Sequence, residues 1–424
     1  MKVAVLDTTR TPLAPTTPRR ARLLLKKGKA AVFRRYPFTI ILKREVENIQ
    51  IPDLKLKIDP GSKTTGIAIV NQDNGEVIFA AEVRHRGQAV KSSLDSRRAI
   101  RRGRRNRKTR YRQARFLNRT RPKGWLPPSL NSRVENVRTW TQRLSRVYPI
   151  KGIAMELVKF DMQLMENAEI KGVEYQQGEL AGYELKEYLL LKWGHDCAYK
   201  SKGSCDCRLE VEHIIPRSRG GSNRVGNLTI ACRKHNQEKG NLTAEEFGFP
   251  DIQAQAKKPL KDAAAVNATR WALFNRLQST GLPIETSSGG MTKFNRVQRN
   301  LPKAHWVDAA CVGAGTPEKL DIEDVRPLFI KAMGHGSRQM CSTDKYGFPM
   351  RHRTHNKTFV GFQTGDLVTA EIPNGKFAGR HSGRVTIRQR KSFILNGFDV
   401  NPDYLKRTHR ADGYSYENKE DKFP

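Results

Sequence analysis

The sequence predicts a multidomain α/β protein, and three observations carry that prediction. From residue 54 onward, segments with strand periodicity alternate with segments of helical periodicity, the pattern of strands joined through helices. A chain of 424 residues has room for two to four domains. From about residue 360 the pattern changes to short apolar runs separated by turn residues, which marks a distinct β-rich module.

Charge narrows the function before any motif is considered. The chain carries 78 Lys+Arg against 42 Asp+Glu, a formal charge of +36, and only 37% of its residues are hydrophobic. Such a charge repels itself unless a polyanion is bound, and nucleic acid is the obvious partner. A membrane is not expected, because no apolar run approaches the roughly 18 residues of a spanning helix. The start, MKVAVLDTTR, meets an acid too early for a signal-peptide core. Four of the six cysteines (Cys197, Cys205, Cys207 and Cys232) lie close together, which favours metal over disulfides, while Cys311 and Cys341 stand alone. A cytosolic, nucleic-acid-handling protein is expected.

Taken in order, residues 1–50 hold twelve Lys/Arg and three acids beside short apolar segments such as LLL and YPFTIIL, and read as a small basic module. Residues 54–84 read as a three-stranded meander: LKLKID alternates, Asp-Pro-Gly breaks it, GIAIV follows, and Asn71 to Gly75 turn the chain into EVIFAAEV. Between Arg97 and Arg115, eleven of nineteen residues are basic and none is acidic. These are Arg97, Arg98, Arg101, Arg102, Arg104, Arg105, Arg107, Lys108, Arg110, Arg112 and Arg115. Arginine favours helix, only Gly103 interrupts, and no apolar stripe opposes the charge, so this is a helix that contacts nucleic acid. An amphipathic helix is expected over 131–148, a strand in KGIAMELVKF, and helices around 175–193, 256–280 and from Ala304.

The segment 197–240, CAYKSKGSCDCRLEVEHIIPRSRGGSNRVGNLTIACRKHNQEKG, resembles the HNH, or ββα-metal, nuclease motif. Glu212-His213 ends the strand RLEV, Asn227 sits in a G-N-L-T turn, and Asn236 opens the following helix. Phosphodiester hydrolysis needs a base to activate water, a role for which the near-neutral imidazole of His213 is suited. It also needs a hard cation, and the oxygens of Glu212 and Asn236 suit Mg²⁺. The resemblance implies that Asn227 orients the loop carrying the histidine. Relatives with this motif commonly brace it with zinc on two C-x-x-C knuckles, and both knuckles depart from that pattern here. Cys197 and Cys232, with His235 and either Cys205 or Cys207, would make a Cys₃His tetrahedron; the alternative is a zinc-free relic.

Asp59 in KIDPGSKTTG, Glu156 in IAMELVKF, and His305 with Asp308 in KAHWVDAACV form a second, dispersed set. Single acids at otherwise apolar strand positions, joined by an acid and a histidine at i, i+3 on a helix, resemble a RuvC-type nuclease of the RNase H fold. Such sites hold two Mg²⁺ ions around one phosphodiester, with Asp59, Glu156 and Asp308 as ligands here.

The order of these segments resembles the IscB family of transposon-associated, RNA-guided DNA endonucleases over essentially the whole chain. The N-terminal TPLAPTTPRRARLLLKKGKAAVFRRYPFTIIL and the C-terminal DKYGFP and GFQTGDLVTAEIPNGKFAGRHSGRV add to the likeness, although the family's P-L-M-P reads Pro12-Leu13-Ala14-Pro15. The resemblance implies an RNase H-like (RuvC) core in three segments, at 53–92, 125–180 and 251–335. It further implies an N-terminal module at 1–52, an arginine-rich bridge helix at 93–124, an HNH domain at 181–250, and a C-terminal β-rich module at 336–424. The implied partners are a noncoding guide (ωRNA) and double-stranded target DNA, held by a monomeric ribonucleoprotein in the prokaryotic cytoplasm at the nucleoid. The implied cofactors are Mg²⁺ and structural Zn²⁺. The HNH site would cut the guide-paired strand and the RuvC site the displaced one, while Arg380, Arg384, Arg388, Arg390 and Lys391 would face a short flanking DNA motif.

Overall fold

The computed structural model describes residues 1–47, 50–106, 122, 124–157, 183–194, 196–205, 208–223, 225–257, 263–334, 340–344, 348–352 and 354–417. The basic N-terminal module consists of β1 (Val3–Leu6), β2 (Pro12–Thr16), α1 (Pro18–Lys26), β3 (Ala30–Arg34) and β4 (Thr39–Leu42), with sheet order β2-β1-β4-β3. Thr17 starts α1: its Oγ1 accepts the Arg20 amide at 3.3 Å, and Pro18 follows where no amide hydrogen is needed. Val3, Val5, Leu13, Ala21, Ala30 and Ile40 form its core. Arg19, Arg20, Arg22 and Lys26 stay exposed on the helix.

The expected meander is present as β5 (Leu54–Asp59), β6 (Thr64–Asn71) and β7 (Val77–Arg84), antiparallel throughout. Then come α2 (Gly87–Asn106), α3 (Pro128–Ser145) and β8 (Ile150–Glu156), and β8 returns parallel to β5. After α4 (Tyr183–Lys192) the chain forms β9 (Leu209–His213), β10 (Leu228–Cys232), α5 (Arg233–Lys239) and α6 (Asp251–Lys257). It comes back through α7 (Ala263–Gln278) and β11 (Ile284–Ser287), which lies parallel to β8. Helices α8 (Gly289–Gln298) and α9 (His305–Ala310) precede β12 (Leu328–Ala332), parallel to β7. β11 and α8 escaped the sequence reading because IETS is too short and polar to register as a strand. Residues 175–182 of the helix expected around 175–193 lie outside the described residues.

The tail holds two short hairpins, β13 (Cys341–Thr343) with β14 (Pro349–His352) and β15 (Thr358–Phe359) with β16 (Phe362–Gln363). A five-stranded sheet follows, built from β17 (Leu367–Ile372), β18 (Gly379–Thr386), β19 (Phe393–Leu395), β20 (Phe398–Val400) and β21 (Leu405–His409). Val368, Ala370, Val385, Phe393 and Leu395 are its buried face. The last strand, β22 (Tyr414–Glu417), does not belong to this sheet but pairs antiparallel with β12. Tyr414 is buried there, edge-on to Trp140, which explains why the chain end is captured by the central core.

The central sheet therefore has the order β11-β8-β5-β6-β7-β12-β22 and is covered on both faces. On one, Leu54, Leu56, Ile58, Ile67 and Ile69 pack against Val134, Val137, Trp140 and Leu144 of α3 and Leu273 and Leu277 of α7. On the other, Ala68, Val70, Val77 and Ala80 take Val307, Ala309, Ala310 and Cys311. Small side chains on that face let α9 approach closely. Gly66 is the extreme case, since a Cβ there would lie 1.8 Å from the His305 carbonyl oxygen. No helix among the described residues is long and apolar enough to cross a membrane.

Covering both faces has a consequence for LKLKID. Lys57 is fully buried, its Nζ donating to Thr316 Oγ1 at 2.8 Å, and burial brings its pKa down from 10.5 to about 7. The unfolded chain therefore binds more protons than the native one between pH 7 and 10.5, so this group makes stability rise with pH across that window. Lys57→Met is expected to raise the melting temperature near pH 7 and to flatten its rise toward pH 10. Thermal unfolding followed by circular dichroism at several pH values measures both; an unchanged pH slope would refute it.

Candidate nuclease sites and metal centre

The β9–β10 hairpin and α5 form one site. β9 pairs antiparallel with β10, His213 opposite Leu228, and α5 begins directly at Cys232. The half-buried His213 ring lies at the end of β9, with Nε2 2.9 Å from Asn223 Oδ1. With that oxygen as acceptor, the proton sits on Nε2 and the Nδ1 lone pair is left free to accept one. Asn227 holds the loop between. Its Oδ1 accepts the Ile215 amide at 3.0 Å, and its Nδ2 donates to Ile215 O at 3.0 Å and Ser222 O at 2.9 Å. The loop is tight enough that a Cβ on Gly221 would fall 1.7 Å from Ile215 O.

Glu212 points away from the histidine. It is buried, with Oε1 2.6 Å from Lys239 Nζ and Oε2 accepting from Tyr199 Oη at 2.7 Å. Burial still raises its pKa, against the pull of Lys239 and Tyr199. Lys239 also donates to His213 O at 2.8 Å, so one buried ammonium ties α5 to the strand end that carries His213. Breaking such a buried pair costs ~3–5 kcal/mol. Asn236 donates instead to Glu210 Oε2 at 3.2 Å. Both oxygens of Glu212 are thus engaged inside the fold, whereas Glu210 and Asn236 are half-buried. Neither Asn223, Glu210, Lys239 nor Tyr199 was singled out from sequence; their types are ordinary, and only the packing gives them partners.

Behind this hairpin, Cys197, Cys205, Cys232 and His235 bring their donor atoms within 4.8 Å of one another. The three sulfurs lie 3.5, 3.6 and 3.2 Å from His235 Nδ1. Cys207 lies outside the described residues. Burial raises the Cys197 thiol pKa, and the nearby Cys232 adds to it. Three thiols and an imidazole converging in this way suit a tetrahedral, structural zinc ion, which would be bound as thiolates.

The second set meets at the ends of the central strands. β5 and β8 run parallel with Ile58 opposite Met155, so Asp59 and Glu156 emerge side by side. Asp308 comes from α9 across Gly66, the residue paired with Asp59 on β6. Burial, Glu156 and Asp308 together hold the Asp59 carboxyl well above its ordinary pKa against Arg270, and burial with Glu156 raises that of Asp308 against Arg296. Three carboxylates pressed together in this way are a fitting oxygen donor set for divalent cations. Two arginines unforeseen from sequence are in contact with it. Arg270 Nη2 donates to Glu156 Oε1 at 2.7 Å, and Arg296 Nε lies 2.8 Å from Asp308 Oδ1. His305 is exposed at the start of α9.

Arg97, Arg98, Arg101 and Arg102 are exposed on α2 and enter no ion pair among the described residues. Arg104 and Arg105 lie on the same helix; Arg107, Lys108, Arg110, Arg112 and Arg115 lie outside the described residues. In the C-terminal sheet, Arg384 is spent on Gly365 O and Tyr414 O, and Arg388 on Asp399, whereas Arg380, Arg390 and Lys391 are exposed.

Comparison with known proteins divides along the same lines. Residues 197–251 match the HNH endonuclease family. This stretch is an HNH endonuclease domain. Residues 3–178 match the RRXRR protein family, and this chain carries that string of letters at Arg101-Arg102-Gly103-Arg104-Arg105. No curated protein matches the chain. Among solved structures, Streptococcus thermophilus Cas9 in complex with the AGAA PAM is similar at 13% identity and a TM-score of 0.25, over 61% of this chain and 32% of that one. The Type II-C Cas9 enzyme from Actinomyces naeslundii is similar at 13% identity and a TM-score of 0.17, over 67% and 49%. The chain thus spans about a third of the length of the first of these, and likeness at such scores carries no weight for chemistry.

The HNH domain is a nuclease unit, and its Cys₃His cluster is the part most open to a direct test. Two of its sulfurs cap and flank the hairpin, and Cys232 is itself the N-cap of α5. Stripping zinc with a strong chelator is expected to unfold the HNH domain while the central sheet keeps its melting transition. One zinc per chain by atomic absorption, lost together with the lower transition in calorimetry, is the expected result. Full retention of both transitions in the metal-free protein would refute it.

Proposed function

We propose that this chain is an RNA-guided DNA endonuclease of the IscB type, with two Mg²⁺-dependent nuclease sites. The observation that carries the reading is the coexistence, on one chain, of an HNH domain and a separate carboxylate cluster, beside an exposed arginine helix. The order of the first five central strands, β7-β6-β5-β8-β11, with an antiparallel meander and two parallel additions, supports an RNase H-like core. That core would be split into segments near 53–92, 125–180 and 251–335, with the HNH domain inserted and β22 added at the far edge.

In the HNH domain, His213 Nδ1 takes the proton of the attacking water, Asn223 holds the ring, and Asn227 and Lys239 fix the strand end. Glu212 and Asn236 would supply the oxygens for Mg²⁺, with Lys239 and Tyr199 holding Glu212 beside the base. In the second site Asp59, Glu156 and Asp308 would hold Mg²⁺, and His305 stands on the same helix face as Asp308. When bound, the metal ions supply charge stabilisation at the scissile phosphate. Sequence specificity would lie in base pairing, with HNH cutting the guide-paired strand and the second site the displaced strand. The arginine helix would grip the guide backbone, since guanidinium contacts to phosphate position a strand without distinguishing its bases.

The test is to express the full chain with its native flanking noncoding DNA, sequence the RNA that copurifies, and assay the complex on plasmids carrying matching sites. A discrete structured RNA and Mg²⁺-dependent cutting at guide-matched sites are expected. A guide-free HNH nuclease would instead cut without RNA, and that result would overturn the guided reading. Replacing Arg97, Arg98, Arg101 and Arg102 by Gln should lower the slope of log affinity for RNA against log salt by roughly 3, at ~0.7 per lost phosphate contact. An unchanged slope would remove this helix from the RNA interface.

A further inference from the structure

We infer that the groove between the N-terminal module and the returning tail binds an unpaired stretch of RNA, stacking bases on Phe33 and Phe38 and pairing phosphates with Arg34, Arg35 and Arg410. The inference rests on the proposed RNA partner but concerns a place remote in sequence from the arginine helix.

The groove is an open cavity of about 620 Å³ formed by residues 32–38, Arg143 of α3 and residues 408–412. That volume is of the order of a small-ligand site and would accept a nucleotide or two rather than a duplex. Its floor is a rigid aromatic clip. Tyr36 stacks on Tyr416 at 4.0 Å and 13°, and His409 stands edge-on to both rings. The clip joins two parts of the chain almost four hundred residues apart in sequence and leaves a fixed concave surface between them.

Charge in the groove is one-sided. Four arginines, Arg34, Arg35, Arg143 and Arg410, face a single acid, Asp412. That acid is already committed, accepting from Arg143 and Tyr416 with His409 3.5 Å away. Arg34 has neither a hydrogen bond nor an ion pair among the described residues, and its guanidinium is half-buried beside that of Arg143. Burial and the Arg143 charge depress its pKa, against the pull of Tyr416 and Asp412.

The rims are apolar where a soluble surface would be polar. Phe33 and Phe38 are 40% and 41% exposed, Val32 is 57% exposed, and Arg10 lies over the Phe33 ring at 5.9 Å. Exposed aromatic faces interleaved with guanidiniums are the combination that holds single-stranded nucleic acid, because every base offers a face to stack and every phosphate a charge. Duplex DNA keeps its bases inside the stack and gains nothing from Phe33 or Phe38. Folded RNA presents splayed, unpaired bases as a matter of course, which favours RNA as the occupant.

The experiment uses the full chain and a short oligouridine carrying 4-thiouridine, photocrosslinked in excess unlabelled duplex DNA, with thiothymidine-labelled oligo(dT) as the counterpart. Peptides spanning 33–38 or 408–412 should carry the crosslink, with oligouridine preferred. Phe33→Ala with Phe38→Ala should abolish crosslinking there and weaken oligouridine binding ~10-fold or more, the usual effect of losing base stacking. Arg35→Gln with Arg410→Gln, both exposed positions, should weaken it as well, Arg35 lying over the Tyr36 ring at 5.5 Å. Crosslinks confined to other peptides, or undiminished in both variants, would overturn the inference. Preference for oligo(dT) at the groove would reassign it to a DNA strand and likewise overturn it. Because the probe is not the guide, absence of copurifying RNA would sink the guided reading without deciding this one, and the converse holds.

Discussion

On the proposed function, His213→Ala is expected to convert the complex into a nickase that spares the guide-paired strand. A positioned general base is worth about 10²–10⁴ in rate, and the structure offers no second imidazole to take over at the end of β9 among the described residues. The substitution leaves the fold intact: the side chain is half-buried, and its hydrogen bond goes to Asn223 on a surface loop. The loop itself is held by Asn227, and the strand end by Lys239, which contacts the His213 backbone rather than its ring. With each DNA strand labelled separately, the guide-paired strand should be cut at least ~100-fold more slowly while the displaced strand is cut as before. Double-strand breaks at the original rate would remove His213 from the chemistry.

On the same proposal, Asp59→Asn is expected to have the complementary outcome on the other strand, together with a change in stability that a merely structural residue would not show. The carboxyl sits between Glu156 and Asp308 and is held well above its ordinary pKa by burial and by their charge. A native pKa raised above the unfolded value means that stability falls as pH rises through the window between them. At pH 7–8 in chelator, the neutral amide removes that repulsion, so the variant should melt higher than the parent. With Mg²⁺ present the parent should gain more than the variant, because fewer anionic oxygens remain to bind the ion. Cutting of the displaced strand should be lost and cutting of the guide-paired strand retained. A variant that melts lower than the parent in chelator, or that loses both cuts while still holding RNA, would refute independent sites. Enhanced stability on removing a catalytic charge is a common consequence of crowding like charges for function.

The sites differ in how far they could be read without coordinates. His213, Asn227 and the Cys₃His donors lie within some forty residues of one another, so spacing alone brings out the HNH pattern, and the Asn227 side chain bonds Ile215 in the loop after His213. The identity of the second knuckle ligand was open between Cys205 and Cys207; Cys205 is the one whose sulfur reaches His235 among the described residues. Glu212 shows the limit of such reading. Its place beside the base is legible in sequence, but its partners Tyr199 and Lys239 are supplied only by the packing of α5 and the preceding loop. Arg270 and Arg296 were invisible for a related reason. An arginine in a helix is usually solvated, and only the packing of α7 and α8 beside the strand ends turns these two inward.

By itself the sequence determined the chemical types and their order: a large positive charge, an arginine helix, an acid at each of two strand ends, an HNH module between them, and a β-rich tail. These are local properties, set by composition and by periodicities of two and 3.6 residues. Tertiary structure alone decided what depends on parts of the chain far apart in sequence. It set Asp59 beside Glu156 through parallel pairing of β5 and β8, and brought Asp308 over Gly66. It buried Lys57 by covering both faces of the sheet, and it carried β22 back to the central sheet, closing an aromatic, arginine-lined groove against residues 32–38. Contacts of that range follow from which surfaces bury each other, and no local pattern encodes them.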